Sequence, residues 1–298
     1  MKKYIEQDFV DGQVLTADNL KNMEQGIVNN YPYSGFEGKT VSFLADSITT
    51  FKDADGTSWI PDGYKCWYHT GNSLADGAGI DDVNKTWWKQ VLNTLGMKLC
   101  VNASWSGSDV RGNSTDTTGE VGCGDGRINA LTVVEGVKSE CPVGTVPDIV
   151  IVFIGINDFS ARNTPVGSWD MKALPTEGNQ TNFDTAYALC IKKIMSKYPN
   201  AEVFCCTLLE TTGTYDDNSG WPTNSSSGTT LKDYNNKIRD IAHLFGAHII
   251  DMHACGINYF NCHDNCVDKL HPNAKGANLM ARKAISDICA QSIHSHLI

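Results

Sequence analysis

The stretch VSFLADSITTF, residues 41–51, decides how this chain is to be read. Its first five residues suit a buried strand, and the strand stops abruptly at Asp46-Ser47-Ile48-Thr49. Asp, Ser and Thr accept hydrogen bonds from free amides, so one reading of the stop is a helix cap. The other is a nucleophile held at the top of a sheet. What the rest of the chain places at comparable positions separates the two.

Working outward, apolar runs of strand length recur at VSFLA (41–45), KLCVNAS (98–104), DIVIVFIG (148–155), AEVFCCTLL (201–209) and AHIIDM (247–252). Helix-like stretches lie among them: DDVNKTWWKQVLNTLG (81–96), a segment around Arg127 to Val137, NFDTAYALCIKKIMSKY (182–198), TLKDYNNKIRDIAHLFG (230–246) and PNAKGANLMARKAISDICAQ (272–291). Strands that are apolar throughout, alternating with helices, predict an α/β fold with a parallel sheet covered on both faces. Sites in such sheets form at the carboxyl ends of the strands. Two polar insertions, Phe159 to Thr181 and Glu210 to Thr229, follow strand ends and should overhang that edge.

Residues 1–38 look separate from residues 39–298. LTADNLKNMEQGI places Leu20, Met23 and Ile27 at helical spacing behind a capping Thr16, and the turn-rich NNYPYSGFEGKT follows as a linker. GKT suggests a phosphate loop, but Tyr33 stands where its first glycine is needed, and a strand follows where a helix should. The start, MKKYIEQDFVDGQ, has two lysines without an apolar core behind them, so no signal peptide is visible. The expected location is therefore cytoplasmic or on a virion or other assembly.

Composition closes other routes. The formal net charge of −10 supplies no basic face for nucleic acid. No apolar run approaches the ~20 residues that span a bilayer, so an integral membrane protein is not expected. Of the eleven cysteines, Cys255, Cys262 and Cys266 cluster with His253, His263 and Asp264. Their C-x6-C-x3-C spacing lacks the paired C-x2-C knuckles of common zinc sites, so free thiols are the first reading, a loop disulfide the second and zinc the third.

Four strand ends or post-strand loops now line up. They carry Asp46-Ser47, Ser106-Gly107, Gly155-Ile156-Asn157-Asp158, and CVDKLHPNAKG with Asp268 and His271. Singly, each is an ordinary turn. Together they supply what acyl transfer needs: a serine nucleophile, an imidazole base and a carboxylate to orient it. Pro272 turns His271 out of helical geometry and suits the first turn of the helix that follows. The Ser47 amide, the Gly107 amide and the Asn157 side chain can face a developing oxyanion.

With Ser47, Gly107, Asn157 and His271 in chain order, GIND as a third block and DKLH as a terminal Asp-x-x-His, the chain resembles the SGNH hydrolases, or GDSL esterase/lipase family, over roughly residues 41–290. The resemblance implies a three-layer α/β/α sandwich with a central five-stranded parallel, flavodoxin-like sheet, and ester hydrolysis without a metal or other cofactor. It assigns Ser47 as nucleophile, His271 as base and Asp268 as its orienter, with Ser47, Gly107 and Asn157 forming the oxyanion hole. Asp46 and Asp158 are expected to support the site, Asp46 by bracing the turn. Ala45 stands where the family has glycine, which demands a negative φ there or slightly more room.

The substrate is less legible. Trp59, Trp67, Trp105, Trp169 and Trp221 lie in or beside loops, and aromatic faces over a polar site suit sugar rings. No long apolar lid segment appears. The favoured substrate is an acetylated glycan or other small ester, with lysophospholipase- or thioesterase-like lipid hydrolysis as the alternative. A different class also stays open: a non-catalytic glycan-binding module on a hydrolase scaffold. FVDGQVLTADNLKNMEQGI resembles leader segments of phage tail and baseplate-associated proteins, which implies attachment of the chain to a larger assembly through residues 1–38.

Overall fold

The computed structural model describes residues 16–18, 20–21, 34–211 and 228–295. All five apolar runs form strands: β1 (Thr40–Ala45), β2 (Lys98–Ser104), β3 (Ile149–Phe153), β4 (Glu202–Cys206) and β5 (His248–Ile250). They make one parallel sheet in the order β2-β1-β3-β4-β5. β1 is central enough to be paired on both sides, Ala45 lying opposite Ser104 on β2 and Phe153 on β3. Every residue of β3 is buried, so its sequence shows no alternation between an inner and an outer face.

Four long helices cover the sheet: α1 (Trp87–Leu95), α2 (Phe183–Lys197), α3 (Leu231–Phe245) and α4 (Ala274–Gln291). α1 packs on α4, and α2 packs on α3. Their ends follow local chemistry. The Thr86 hydroxyl accepts the Lys89 N–H at the start of α1, and Thr230 and Asp233 make a reciprocal capping box on α3. Gly96 ends α1 at φ 69°, where a side chain would also strike Glu37. Trp87 and Trp88 fill the space between α1 and the sheet, each with its ring against Phe43.

Two helical expectations need correcting. The stretch 81–96 starts with a separate 3-10 turn, Val83–Lys85, because Asp82 and Thr86 each cap their own turn. The segment from Arg127 to Val137 is helical only within Asp125–Asn129. β-Branched Thr132, Val133 and Val134 and then Gly136 disfavour its continuation. Val133 instead pairs with the chain returning at Gly144 and Thr145.

Arg127 is fully buried beneath the carboxyl ends of β1 and β2. Its Nη1 donates to the carbonyls of Ala45 (2.9 Å) and Ala103 (3.0 Å), its Nε to Gly119 (2.5 Å) and its Nη2 to Glu120 (3.2 Å). Burial draws its pKa down to about 10, against the pull of nearby Tyr64 and Asp46. The guanidinium thus satisfies four carbonyls at the edge where the sequence places its chemistry.

The amino-terminal reading of Thr16, Leu20, Met23 and Ile27 falls for the most part outside the described residues, as do most of the insertion at 210–229 and Trp221. The described fold reaches back to Phe36, which is fully buried with its ring edge against His294. Among the described residues, no helix is long and apolar enough to cross a membrane.

Candidate active site

The strand β1 ends at Ala45 in ordinary extended geometry, and Ala45 is not among the residues with positive φ. Alanine is therefore accommodated without strain. Asp46 follows as the cap of a 3-10 turn, Ser47–Thr49, its carboxylate accepting the Ile48 N–H at 3.1 Å. Asp46 thus caps the turn, and the turn carries Ser47 at the end of β1. Thr50 braces it from behind, its hydroxyl donating to the Ser47 carbonyl at 2.9 Å while accepting the Trp67 N–H at 2.9 Å.

His271 arrives from a loop 224 residues away and places Nε2 2.8 Å from Ser47 Oγ. Its other ring nitrogen, Nδ1, lies 2.8 Å from Asp268 Oδ2. Asp268 Oδ1 accepts two further N–H groups, from Leu270 (2.8 Å) and His271 (2.6 Å). Burial alone would raise the Asp268 pKa, but these bonds and the imidazole hold it below the usual carboxylate value. A carboxylate that stays ionised selects the tautomer with the proton on Nδ1, which leaves Nε2 free to accept the serine proton.

The donors expected for an oxyanion follow the ends of β2 and β3, the two strands that flank β1. Gly107 sits at φ 81°, a conformation that glycine adopts without cost, in the turn closed by Ser108 N–H to Trp105 O. Among the described residues, no acceptor pairs with the amide N–H of Ser47 or of Gly107. Gly155 at φ 127° starts the short helix Ile156–Ser160, and a side chain there would strike Phe183. That helix carries Asn157, whose Nδ2 donates one hydrogen to Ser108 O at 2.8 Å. The bond orients the carboxamide and leaves its second hydrogen available. Asp158 ties the same two loops together by accepting the Val110 N–H at 2.8 Å. Burial, reinforced by neighbouring Asp109, pushes Asp158 up to about 8, while the Val110 and Arg111 amides oppose the shift.

Burial likewise raises Asp46 to about 7 from 3.8, despite the Ile48 hydrogen bond and the charge of Arg127. Between those two values the folded chain keeps a proton that the unfolded chain releases, so this carboxyl lowers stability as pH rises through that window. Asn in its place still accepts the Ile48 N–H. Asp46→Asn is therefore expected to raise the urea midpoint at pH 8 and leave it nearly unchanged at pH 4. Equal midpoint changes at the two pH values would show that Asp46 does not titrate in this way.

No disulfide joins the eleven cysteines in this structure, Cys255, Cys262 and Cys266 included. Among the described residues, no group of three or more His, Cys, Asp or Glu side chains is arranged to hold a metal ion. The tryptophans scatter. Trp105 is buried against Tyr64, Trp59 bonds Asp53 through its ring N–H at 2.6 Å, and Trp169 bonds the Ala173 carbonyl at 2.8 Å. Of the four described, Trp67 lies on the triad, stacked on the His271 ring at 3.8 Å between centroids and 11° between planes. Sequence reasoning noted Trp67 as a loop residue and missed this role, and it missed Arg127 and Thr50 altogether. No spacing signals such contacts.

A serine, an imidazole and a carboxylate in one hydrogen-bonded line are the arrangement that nucleophilic acyl transfer uses. Comparison with known proteins points the same way. The family model described as GDSL-like Lipase/Acylhydrolase matches residues 39–220, more than half of the chain, ending before Asp268 and His271. Comparison with the curated proteins gives no match. Among solved structures, the chain is similar to a candidate GDSL-like lipase from Bacteroides ovatus, with 20% identity and a TM-score of 0.59 over 86% of this chain and 100% of that one. A second candidate GDSL-like lipase, from Bacteroides uniformis, has 22% identity and a TM-score of 0.58 over 85% and 97% of the two chains. A protein from Lactobacillus plantarum aligns at 18% identity with a TM-score of 0.56 over 86% and 99%. These likenesses establish the fold.

Proposed function

The chain belongs to the GDSL-like lipase/acylhydrolase family and is an ester hydrolase, and from that premise we propose that it removes short acyl groups, acetyl foremost, from carbohydrate. The observation that carries the reading is the Ser47–His271–Asp268 line, with both of its hydrogen bonds at 2.8 Å. Ser47 Oγ attacks the ester carbonyl as its proton passes to His271 Nε2, and Asp268 stabilises the imidazolium that results. The carbonyl oxygen, now negative, is held by the Ser47 and Gly107 amides and by the free hydrogen of Asn157 Nδ2. His271 then protonates the departing alcohol oxygen, which leaves an acyl group on Ser47. A water molecule deprotonated by the same imidazole releases the acid.

A polar cavity beside the Trp67 segment supports a polar alcohol part. The segment that carries Trp67 borders an open cavity of about 300 Å³ lined by Lys52, Ser58, Asp62, Tyr64, Cys66 and His69 among others. Such a lining offers hydrogen bonds to hydroxyl groups rather than an aliphatic slot for a long chain. A lipid ester remains the second reading within the same chemistry. The division at residue 38 belongs to the proposal too, with the first segment as an attachment to a larger assembly. Because Phe36 is part of the core, deletion of residues 1–33 is the informative truncation, and turnover is expected to survive it.

The test is acetate release by the wild type and by Ser47→Ala across acetylated polysaccharides and p-nitrophenyl esters of rising chain length. Serine-dependent release from a glycan supports the proposal. Turnover of long-chain esters alone moves the substrate to lipid, and silence across the panel, without fluorophosphonate labelling of folded protein, leaves a glycan-binding module.

A further inference from the structure

The chain from Tyr64 to His69 runs beside the site as a strap, tied to the loops that carry Ser47, Gly107 and His271. Its Lys65 carbonyl accepts the Ser106 N–H at 2.8 Å, beside Gly107. Its Trp67 N–H donates to the Thr50 hydroxyl that braces Ser47, and its Trp67 carbonyl accepts Asn72 Nδ2 at 2.8 Å. Its Tyr68 hydroxyl donates to the Pro272 carbonyl at 2.7 Å, next to His271. The strap is therefore rigid relative to the serine, the glycine and the histidine together.

From this frame Trp67 presents its indole to one face of the His271 imidazole, while Tyr68 meets the ring edge-on at 6.3 Å and 82°. Two hydrogen bonds, to Ser47 and Asp268, already hold the imidazole within its own plane. They do not resist tilting of the ring out of that plane. A parallel indole does. It also attracts a cation over its face more strongly than a neutral ring, so its contact strengthens as the imidazole gains the serine proton.

We propose that Trp67 is a positioning residue of this hydrolase: its indole holds the His271 ring flat between Ser47 and Asp268 and favours the imidazolium formed as Ser47 attacks. The inference rests on the assignment of His271 as base. Trp67 acts through His271, so its loss falls on kcat rather than on KM. The backbone anchors of the strap do not involve the indole, so the strap keeps its place when the side chain changes.

The experiment compares wild type, Trp67→Leu, Trp67→Met and Trp67→Phe on p-nitrophenyl acetate, with melting temperature and the rate of fluorophosphonate labelling measured alongside. Leu and Met fill space without an aromatic face, and having both keeps the comparison if one is unstable. The expected result is a fall in kcat and in labelling rate of about tenfold for Leu and Met. KM should stay within about twofold, and Phe should recover most of the loss. Wild-type kcat in a folded Leu or Met variant overturns the proposal. So does a rise in KM alone, which would make Trp67 a substrate wall, or equal impairment by Phe and Leu. Failure of the wild type itself to label or turn over overturns the enzyme reading instead. Activity on p-nitrophenyl acetate without activity on glycans leaves the Trp67 comparison intact and removes only the carbohydrate assignment.

Discussion

Ser47→Ala is expected to lower ester turnover by roughly 10⁴- to 10⁶-fold and to abolish fluorophosphonate labelling, with little change in melting temperature. The hydroxyl contributes one hydrogen bond, to His271, and the turn that carries it is held by Asp46, Thr50 and backbone bonds that alanine leaves in place. Loss of function without loss of fold is therefore the specific signature. His271→Ala should match it closely, because serine and base act as a unit and removing either disables the same step. A combined Ser47→Ala/His271→Ala variant should be scarcely worse than either alone. Near-wild-type turnover in the serine variant would remove Ser47 from the chemistry, and additive losses in the double variant would separate the two residues' roles.

Asn157→Ala should cut kcat by about 10²- to 10³-fold while KM changes little. The Asn157 side chain is buried and spends one amide hydrogen on the Ser108 carbonyl, so truncation removes an oxyanion donor and also frees that carbonyl. The second loss costs about 1–3 kcal/mol of stability at most, and a modest drop in melting temperature is part of the expectation. Asn157→Asp loses both bonds as well, because a carboxylate has no hydrogen to donate to the Ser108 carbonyl. A carboxylate fills the same volume but repels the developing oxyanion, so its kcat should fall at least as far as that of alanine. Steady-state kinetics on one nitrophenyl ester suffices, and an unchanged kcat in either variant would place the oxyanion elsewhere.

Much of this was legible in the residues, for reasons that also explain what was not. The five strands declare themselves because a sheet covered on both faces needs continuous apolar runs, as in IVIVF of β3. Ser47, Gly107, Asn157 and the Asp268–His271 pair declare themselves because each must sit at a strand end or on the loop before α4, where chain order and turn chemistry show. Ala45 raised a question about room that its extended backbone answers. Arg127 stayed hidden because a cation in a helix-like stretch ordinarily faces water, and only the converging carbonyls of β1, β2 and the 119–120 loop make burial affordable. Trp67 stayed hidden because its partner lies in a distant loop and the contact depends on the path of the strap, which periodicity does not encode.

The separation of 224 residues between Ser47 and His271 has a kinetic meaning. Closing so large a loop costs chain entropy that the local helices and adjacent strand pairs do not. The base meets the serine only when that loop is closed, so active-site closure is expected among the last events of folding. Refolded chains should regain helical circular dichroism before they regain reactivity toward a fluorophosphonate. The probe then reports the completed topology of the chain, where spectroscopy reports its parts.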